Sequence, residues 1–226
     1  MEIKKLVMTL FGESNFILLL LASLLVITVF MALSLAAFPA ADDYCYAVEV
    51  RNYGFVGSLV GWYSAWSGRF SATALMNLIS LSRDIKETYA LVLISAQLVM
   101  LAAIFAFLRA LFQYRYSLRF VALLTLTAYV IFLTGLPDIA QYMYWTMGIA
   151  DYALGNVSLL LLLAIGAQQE LGGQSKRMFS MLRFAVAAMV AIFAVGTNEL
   201  TLISVLGKRR TSRRKFNQRG RIERKL

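Results

Sequence analysis

The chain alternates between long apolar runs and shorter polar, aromatic segments, and the run lengths set the first expectation. A bilayer core needs about 20 apolar residues in helical conformation. Phe16–Ala37 supplies an uninterrupted uncharged stretch of that length, and Thr88–Leu108 supplies a second. Phe120–Leu136 is a third, and Tyr152–Ala167 is a short fourth that must draw on the aromatic segment before it or on a thinned interface. Phe184–Gly196 begins a fifth, and apolar character resumes at Leu200–Leu206 after Thr197, Asn198 and Glu199. The pattern predicts an all-α protein, a polytopic transmembrane helix bundle occupying residues 1–206. The first run follows Lys4 and Lys5, as a signal peptide would, but it is too long for a signal core and further runs follow. It reads as an uncleaved first span.

Between the first two runs lies a segment of about 50 residues, 38–87, far longer than a connector requires. Pro39 stops the first helix at the membrane edge. From Val56 to Ser82 apolar residues mix with Ser, Thr and Asn77, which predicts one or two amphipathic helices lying along the surface. Trp62, Trp66, Arg69 and Thr73 fall at helical spacing and are expected on one face.

Charge orients the spans. Residues 109–119 carry Arg109, Arg115 and Arg119 without an acid, and 168–183 carry Lys176, Arg177 and Arg183 against Glu170. The segment 137–151 carries Asp138 and Asp151 and no base. By the positive-inside rule the N-terminus and the two basic loops are cytoplasmic, and 38–87 and 137–151 face outward.

Composition changes this picture in three ways. The 226 residues are 60% hydrophobic with a formal charge of +10 and a mean hydropathy of +0.71, which disfavours a soluble or disordered chain. The charge is terminal: residues 208–226 hold ten Lys/Arg against Glu223 alone, so the body is nearly neutral and nucleic acid is not an expected partner. The absence of His excludes imidazole metal sites and Ser-His-Asp triads, and the single Cys45 excludes an internal disulfide.

The basic tail, 207–226, is expected to be disordered, and it conflicts with the topology. Five spans starting from a cytoplasmic N-terminus end outside, where ten Lys/Arg do not belong. One reading is that a sixth crossing begins near Leu200 and is cut short, the chain being the N-terminal part of a longer membrane protein with a truncated or frame-shifted end. The other is a cytoplasmic tail on anionic headgroups, with 184–206 re-entrant.

Three outward clusters hold the polar chemistry. Asp42 and Asp43 follow Pro39 directly, and as neighbours on a regular backbone they point in different directions and are unsuited to the same task. A membrane-edge carboxylate can act as a general base or hold a cation, though composition alone favours a solvated loop start or helix N-cap. Trp62 and Trp66 suit either an interfacial belt, the reading physics alone favours, or stacking on sugar rings, and Arg69 suits lipid phosphate generally or one clamped phosphate. The second cluster gathers Asp138, Gln141, Tyr142, Tyr144, Trp145, Asp151, Tyr152 and Asn156. The third is Asn198-Glu199, whose polar groups at the mouth of a span are costly unless they function or simply reach water.

The order of these elements resembles the integral membrane glycosyltransferases of the C type (GT-C), in particular bacterial glucosyltransferase-like membrane proteins. The likeness rests on a first span, the membrane-edge pair Asp42-Asp43-Tyr44, Trp66-Ser67-Gly68-Arg69-Phe70 in a long outward loop, Tyr144-Trp145 with Gly148 and Tyr152, and Gly196-Thr197-Asn198-Glu199. It covers roughly residues 10–206. It implies transfer of a sugar from a polyprenyl-phosphate donor to an extracytoplasmic glycan or lipid acceptor, in a bacterial inner membrane. It further implies Asp42 as the base with Asp43 in support, Arg69 at the donor phosphate, and Trp62, Trp66, Tyr144 and Trp145 against sugar or lipid. Asn198 and Glu199 would line the same cavity. Some relatives use a divalent metal; without His, one here would be held by carboxylates, which favours Mg or Mn. Relatives usually have more spans and often a C-terminal outward domain. Two readings from other classes compete: a transport or channel subunit using Asp42, Asp43, Glu199 and Arg69 along a solute path, and a non-catalytic membrane scaffold.

Overall fold

The computed structural model describes residues 12–81, 85–113, 115–171, 177–199, 201 and 203. Lys4, Lys5, Lys176 and the basic tail, on which the orientation and tail expectations rest in part, lie outside them. Among the described residues all regular structure is helical, with no strand.

Helix α1 (Glu13–Leu33) continues through a 3-10 turn, Ser34–Ala36, and gives way to extended backbone at Ala37, two residues before Pro39. Helix α2 (Asp42–Ala65) is interrupted at Gly54, whose φ of +69° is a left-handed conformation that glycine adopts without steric cost. After a turn at 66–69 come α3 (Phe70–Ser80), α4 (Ile85–Leu111) and α5 (Leu118–Thr134). Two short pieces, α6 (Ile139–Met143) and α7 (Thr146–Gly148), lead into one π-helical turn, Ile149–Ala153. That turn runs directly into α8 (Leu154–Leu171), and α9 (Arg177–Val195) follows.

Three stretches are long and apolar enough to cross a membrane: Glu13–Ala36, Ile85–Leu111 and Thr146–Gln169. The apolar helices Leu118–Thr134 and Met181–Val195 are shorter. Only 11% of the α1 window is buried inside the protein, and Leu18, Leu21, Leu25 and Val29 all point outward. Such a surface is stable against lipid and costly against water. The short fourth apolar run is completed as expected, because Thr146–Ala153 is helical and continuous with α8.

The helices pack in the order α1–α5–α4–α8–α9, with α2 and α3 paired to each other and set against the π-helical turn. The main core lies around α4, where Tyr89, Leu93 and Met100 meet Tyr129 and Leu133 of α5 and Ile149 and Val157 from the π-turn and α8. A smaller core joins Tyr46 of α2, Ala72 and Met76 of α3, and Met147 and Ala150. A buried polar contact fixes α2 on α3: Ser58 donates to Asn77 Oδ1 at 3.1 Å, while Asn77 Nδ2 donates to the Phe55 carbonyl at 3.1 Å.

Trp62, Trp66, Arg69 and Thr73 do not share one helical face. The helix stops at Ala65, and the turn through Trp66, Ser67 and Gly68 re-aims the chain before α3 begins at Phe70. Trp66 is left 77% exposed, while Trp62 packs inward and Thr73 is buried. Helical spacing counts residues correctly only while the helix is unbroken.

Candidate functional site

Polar groups from four distant segments meet at one end of the helix row. The start of α3 is held by the end of α9: the Gly196 carbonyl accepts from Ser71 N at 2.9 Å and Ala72 N at 3.2 Å. These amides belong to the first turn of α3 and have no partner within that helix. A side chain at Gly196 would run into Ser71 and the Phe70 ring, so glycine permits the approach. The contact sets Arg69, at the head of α3, beside Glu199.

Arg69 is shared by two carboxylates. Its Nε lies 3.2 Å from Glu199 Oε1 and its Nη2 lies 3.0 Å from Glu199 Oε2, a two-pronged contact. Its Nη1 donates to Asp151 Oδ2 at 2.7 Å. The two acids differ in environment: the Asp151 side chain is 4% exposed and that of Glu199 is 65% exposed. The paired carboxylates hold the guanidinium pKa above its usual value, Glu199 contributing most. Asp151 sits in the π-helical turn, an irregularity frequent at functional sites. Its backbone carbonyl accepts from Asn198 Nδ2, and Asn198 Oδ1 accepts from Thr201 N at 2.9 Å and Thr201 Oγ1 at 3.1 Å. The Asn198 amide is therefore spent on tying the segment after α9 to the π-turn.

The adjacent acids at the start of α2 occupy different surroundings. Asp43 is fully buried. Its Oδ2 accepts from Ala40 N at 2.9 Å and lies 3.0 Å from the Tyr89 hydroxyl, and its Oδ1 accepts from Thr146 Oγ1. Burial raises its pKa, a shift opposed by the Thr146, Ala40 and Tyr89 hydrogen bonds and assisted by neighbouring Asp42. Asp43 thus ties together the loop before α2, the head of α4 and the head of α7. Asp42 is half-buried and close enough to Tyr46 and Asp151 to act on both electrostatically.

The aromatic residues divide likewise. Trp62 stacks on Tyr46 with ring centroids 4.6 Å apart, and Trp145 packs on the same small core. The indole N–H groups of Trp62 and Trp145 and Asp151 Oδ1 are buried with no partner among the described residues. Two donors and one acceptor in this state have a desolvation cost that a hydroxylated ligand or water would offset. Tyr144 is a strut: its hydroxyl donates to the Phe30 carbonyl at 2.7 Å, and its own carbonyl lies 3.1 Å from the Tyr89 hydroxyl. Burial pushes the Tyr144 and Tyr142 hydroxyls up to about 12, so both remain protonated donors.

Of the residues expected at the site, Asp42, Arg69 and Glu199 gather beside Trp62 and Trp145. Asp43, Tyr144 and Asn198 lie among them but are engaged with the protein, and Trp66 points away. Sequence reasoning gave Asp151 no role of its own and missed Tyr46, Tyr89 and Thr146. A lone Asp at the start of an apolar run was a readable signal for the first. A hydroxyl within an apolar helix, as at Tyr89, carries only a weak one.

Among the described residues no set of carboxylates is placed to hold a divalent cation. Asp151 and Glu199 both pair with Arg69, and no three Asp, Glu or Cys gather closely enough to hold a metal among the described residues. No protein-family model, curated protein or solved structure matches this chain.

Proposed function

We propose that the chain is the helical membrane part of a GT-C-type glycosyltransferase, moving a sugar from a polyprenyl-phosphate donor to a glycan or lipid acceptor outside a bacterial inner membrane. In this reading the helices form a polytopic bundle with a cytoplasmic N-terminus, and α2 and α3 lie along the outer surface.

One observation carries the reading. Asp42, Arg69, Asp151 and Glu199, with two indoles whose N–H groups lack partners, converge at one end of the helices from positions up to 157 residues apart. Aromatic faces with unpaired donors and acceptors suit a ring bearing hydroxyls. The half-buried carboxylate of Asp42 suits a base at the rim.

The step follows from these groups. The acceptor hydroxyl oxygen forms a bond to the anomeric carbon while the bond from that carbon to the phosphate oxygen breaks. The hydroxyl proton passes to Asp42, and the polyprenyl phosphate leaves with the bonding electron pair. Negative charge grows on the leaving oxygen, so a fixed cation there lowers the barrier, and Arg69 is the cation at hand. Asp43 supports Asp42 by fixing the first turn of α2.

The test is lipid-linked-sugar and glycan analysis of a deletion strain, complemented with the wild-type gene or with Asp42→Asn. The expected result is loss of one glycan modification on deletion, restored by wild type and not by Asp42→Asn. Unchanged glycans on deletion would overturn the proposal and leave the transport and scaffold readings.

A further inference from the structure

We infer that Glu199 occupies the place of a monoanionic phosphodiester on Arg69, so that ligand and Glu199 exchange on one guanidinium face. The inference rests on the reading above for the identity of the ligand, but its geometry is independent of sugar transfer.

Three features of the ion-pair cluster support it. The first is shape. Glu199 presents two oxygens to Nε and Nη2 of Arg69 at 3.2 and 3.0 Å, the fork arrangement in which two oxygens of a phosphate are also held. The second is charge. Arg69 faces two carboxylates, and Asp151 alone already balances it. A phosphodiester carries one negative charge, as Glu199 does, so the exchange leaves the local charge unchanged. Adding the phosphate while Glu199 stayed would place a third anion on one cation.

The third feature is the unequal hold on the two acids. Asp151 is 4% exposed, and its backbone is fixed by Asn198. Releasing it would strand a buried charge. The Glu199 side chain is 65% exposed, and an ion pair at such a site contributes little net stability. Glu199 is therefore the partner that leaves, and Asp151 is the partner that keeps the Arg69 fork aimed. Glu199 follows the turn Gly196-Thr197-Asn198, and apart from Arg69 its carboxylate takes a hydrogen bond from its own backbone amide, a tie within the residue and not to α9. It can swing into solvent without moving α9.

The inference revises the expectation that Glu199 lines the cavity as a substrate contact. It becomes an internal competitor that keeps the guanidinium neutralised in the absence of ligand. It also accounts for the arginine being so fully paired in a site meant for an anion.

The test uses the purified full chain in detergent and two monoanionic probes, dimethyl phosphate and farnesyl methyl phosphate. Binding is followed by titration calorimetry, with thermal melting as a check of folding. Glu199→Gln and Glu199→Ala should both tighten binding by about fivefold, the gain expected when an exposed ion pair no longer competes for the site. Arg69→Gln should abolish the gain in either background, and Arg69→Lys should recover less than half of the affinity, since an ammonium lacks the fork. A gain with both probes assigns the site to the phosphodiester group itself. A gain with farnesyl methyl phosphate alone assigns it to a lipid headgroup. Equal affinity of the wild type and both Glu199 variants would overturn the exchange, as would binding that survives Arg69→Gln. If glycan analysis fails while the fivefold gain appears, the sugar-transfer reading falls and the anion exchange stands.

Discussion

Replacing Asp43 by alanine separates support from chemistry at the start of α2. The wild-type carboxylate accepts from Ala40 N and Thr146 Oγ1 and lies within reach of the Tyr89 hydroxyl. Alanine leaves these donors without their acceptor in a fully buried position. The Tyr89 hydroxyl retains the Tyr144 carbonyl at 3.1 Å, and the Thr146 hydroxyl can rotate, so the principal orphan is the Ala40 amide. Ala40 is itself exposed and its bond to Asp43 part-buried, so losing that bond costs about 1 kcal/mol, and the weakened Thr146 and Tyr89 bonds add about 1 kcal/mol, while losing a buried carboxylate returns part of this. The net expectation is a loss of about 1.5–2 kcal/mol, or about 3–8 °C in melting temperature for a chain of this size. Asparagine should cost less than about 1 kcal/mol. Its Oδ1 can serve Ala40 and Tyr89 while its Nδ2 faces Thr146, whose hydroxyl can accept as well as donate.

The pH dependence has a definite sign. Burial raises the Asp43 pKa in the folded protein above the ordinary carboxylate value of 3.8. A group raised on folding contributes stability that is complete below its unfolded pKa and is lost as pH rises through its folded pKa. Asparagine has no such titration. The melting temperature of wild type minus that of Asp43→Asn should therefore fall as pH is raised from 4 through the folded value of Asp43. The assay is circular dichroism during heating in a mild detergent, from acid to neutral pH. An Asp43→Ala variant melting within about 2 °C of wild type would refute the supporting role, and a gap that widens with pH would refute the assignment of its pKa shift.

Three further outcomes follow from the same geometry. A double-mutant cycle by thermal melting should give a coupling of about 2 kcal/mol for Arg69 with Asp151 and below about 1 kcal/mol for Arg69 with Glu199, because one acid is buried and the other exposed. Gly148→Ala should destabilise by about 3 kcal/mol or more, read by the same melts, because a methyl group there meets the backbone carbonyl of Gln141, which cannot step aside as a side chain would. Trp62→Ala should cost about 2 kcal/mol through loss of its stacking on Tyr46, whereas Trp66→Ala, at an exposed position, should leave melting within about 0.5 kcal/mol of wild type.

The three membrane-length helices were readable because lipid demands a long apolar run, and the run is visible in one dimension. Their ends were less so. The second run was expected over Thr88–Leu108, and the helix spans Ile85–Leu111, taking in Lys86, Glu87 and Arg109. Hydropathy marks the part of a helix that lipid touches, while backbone hydrogen bonding carries the helix on into polar surroundings. The turn at Ser67-Gly68 was misread for a related reason. The spacing of the larger side chains passes over the Ser-Gly turn signal between them, and the contact of α3 with Gly196, well over a hundred residues away, holds the new helix where it begins. A shared cavity for Arg69, the tryptophans and Asn198-Glu199 was only implied by the resemblance, and the pairing among these groups was not readable at all. Nothing near Asp43 in sequence announces Thr146, and nothing near Arg69 announces Asp151.

The adjacent acids show what decides between support and chemistry when residue type does not. Asp42 and Asp43 share a side chain, a helix and a first turn, where the helix N-terminus favours negative charge at both. One helical step of about 100° separates their directions. That rotation aims Asp43 at the packed junction of α4 and α7, where Ala40 N, Thr146 Oγ1 and the Tyr89 hydroxyl surround it. A fully buried carboxylate enclosed by these protein donors leaves no approach for an acceptor hydroxyl, whatever its proton affinity. The same rotation leaves Asp42 half-buried and facing Tyr46 and Asp151, beside the indoles whose N–H groups lack partners. Of the three acids nearest the indoles, a reaction that needs a free carboxylate turns to Asp42 or the unpaired oxygen of Asp151, or to Glu199 once Arg69 has released it. Exchanging the two side chains, Asp42→Asn against Asp43→Asn, separates the roles without altering the helix: the first should remove activity and spare melting, and the second should retain most of both.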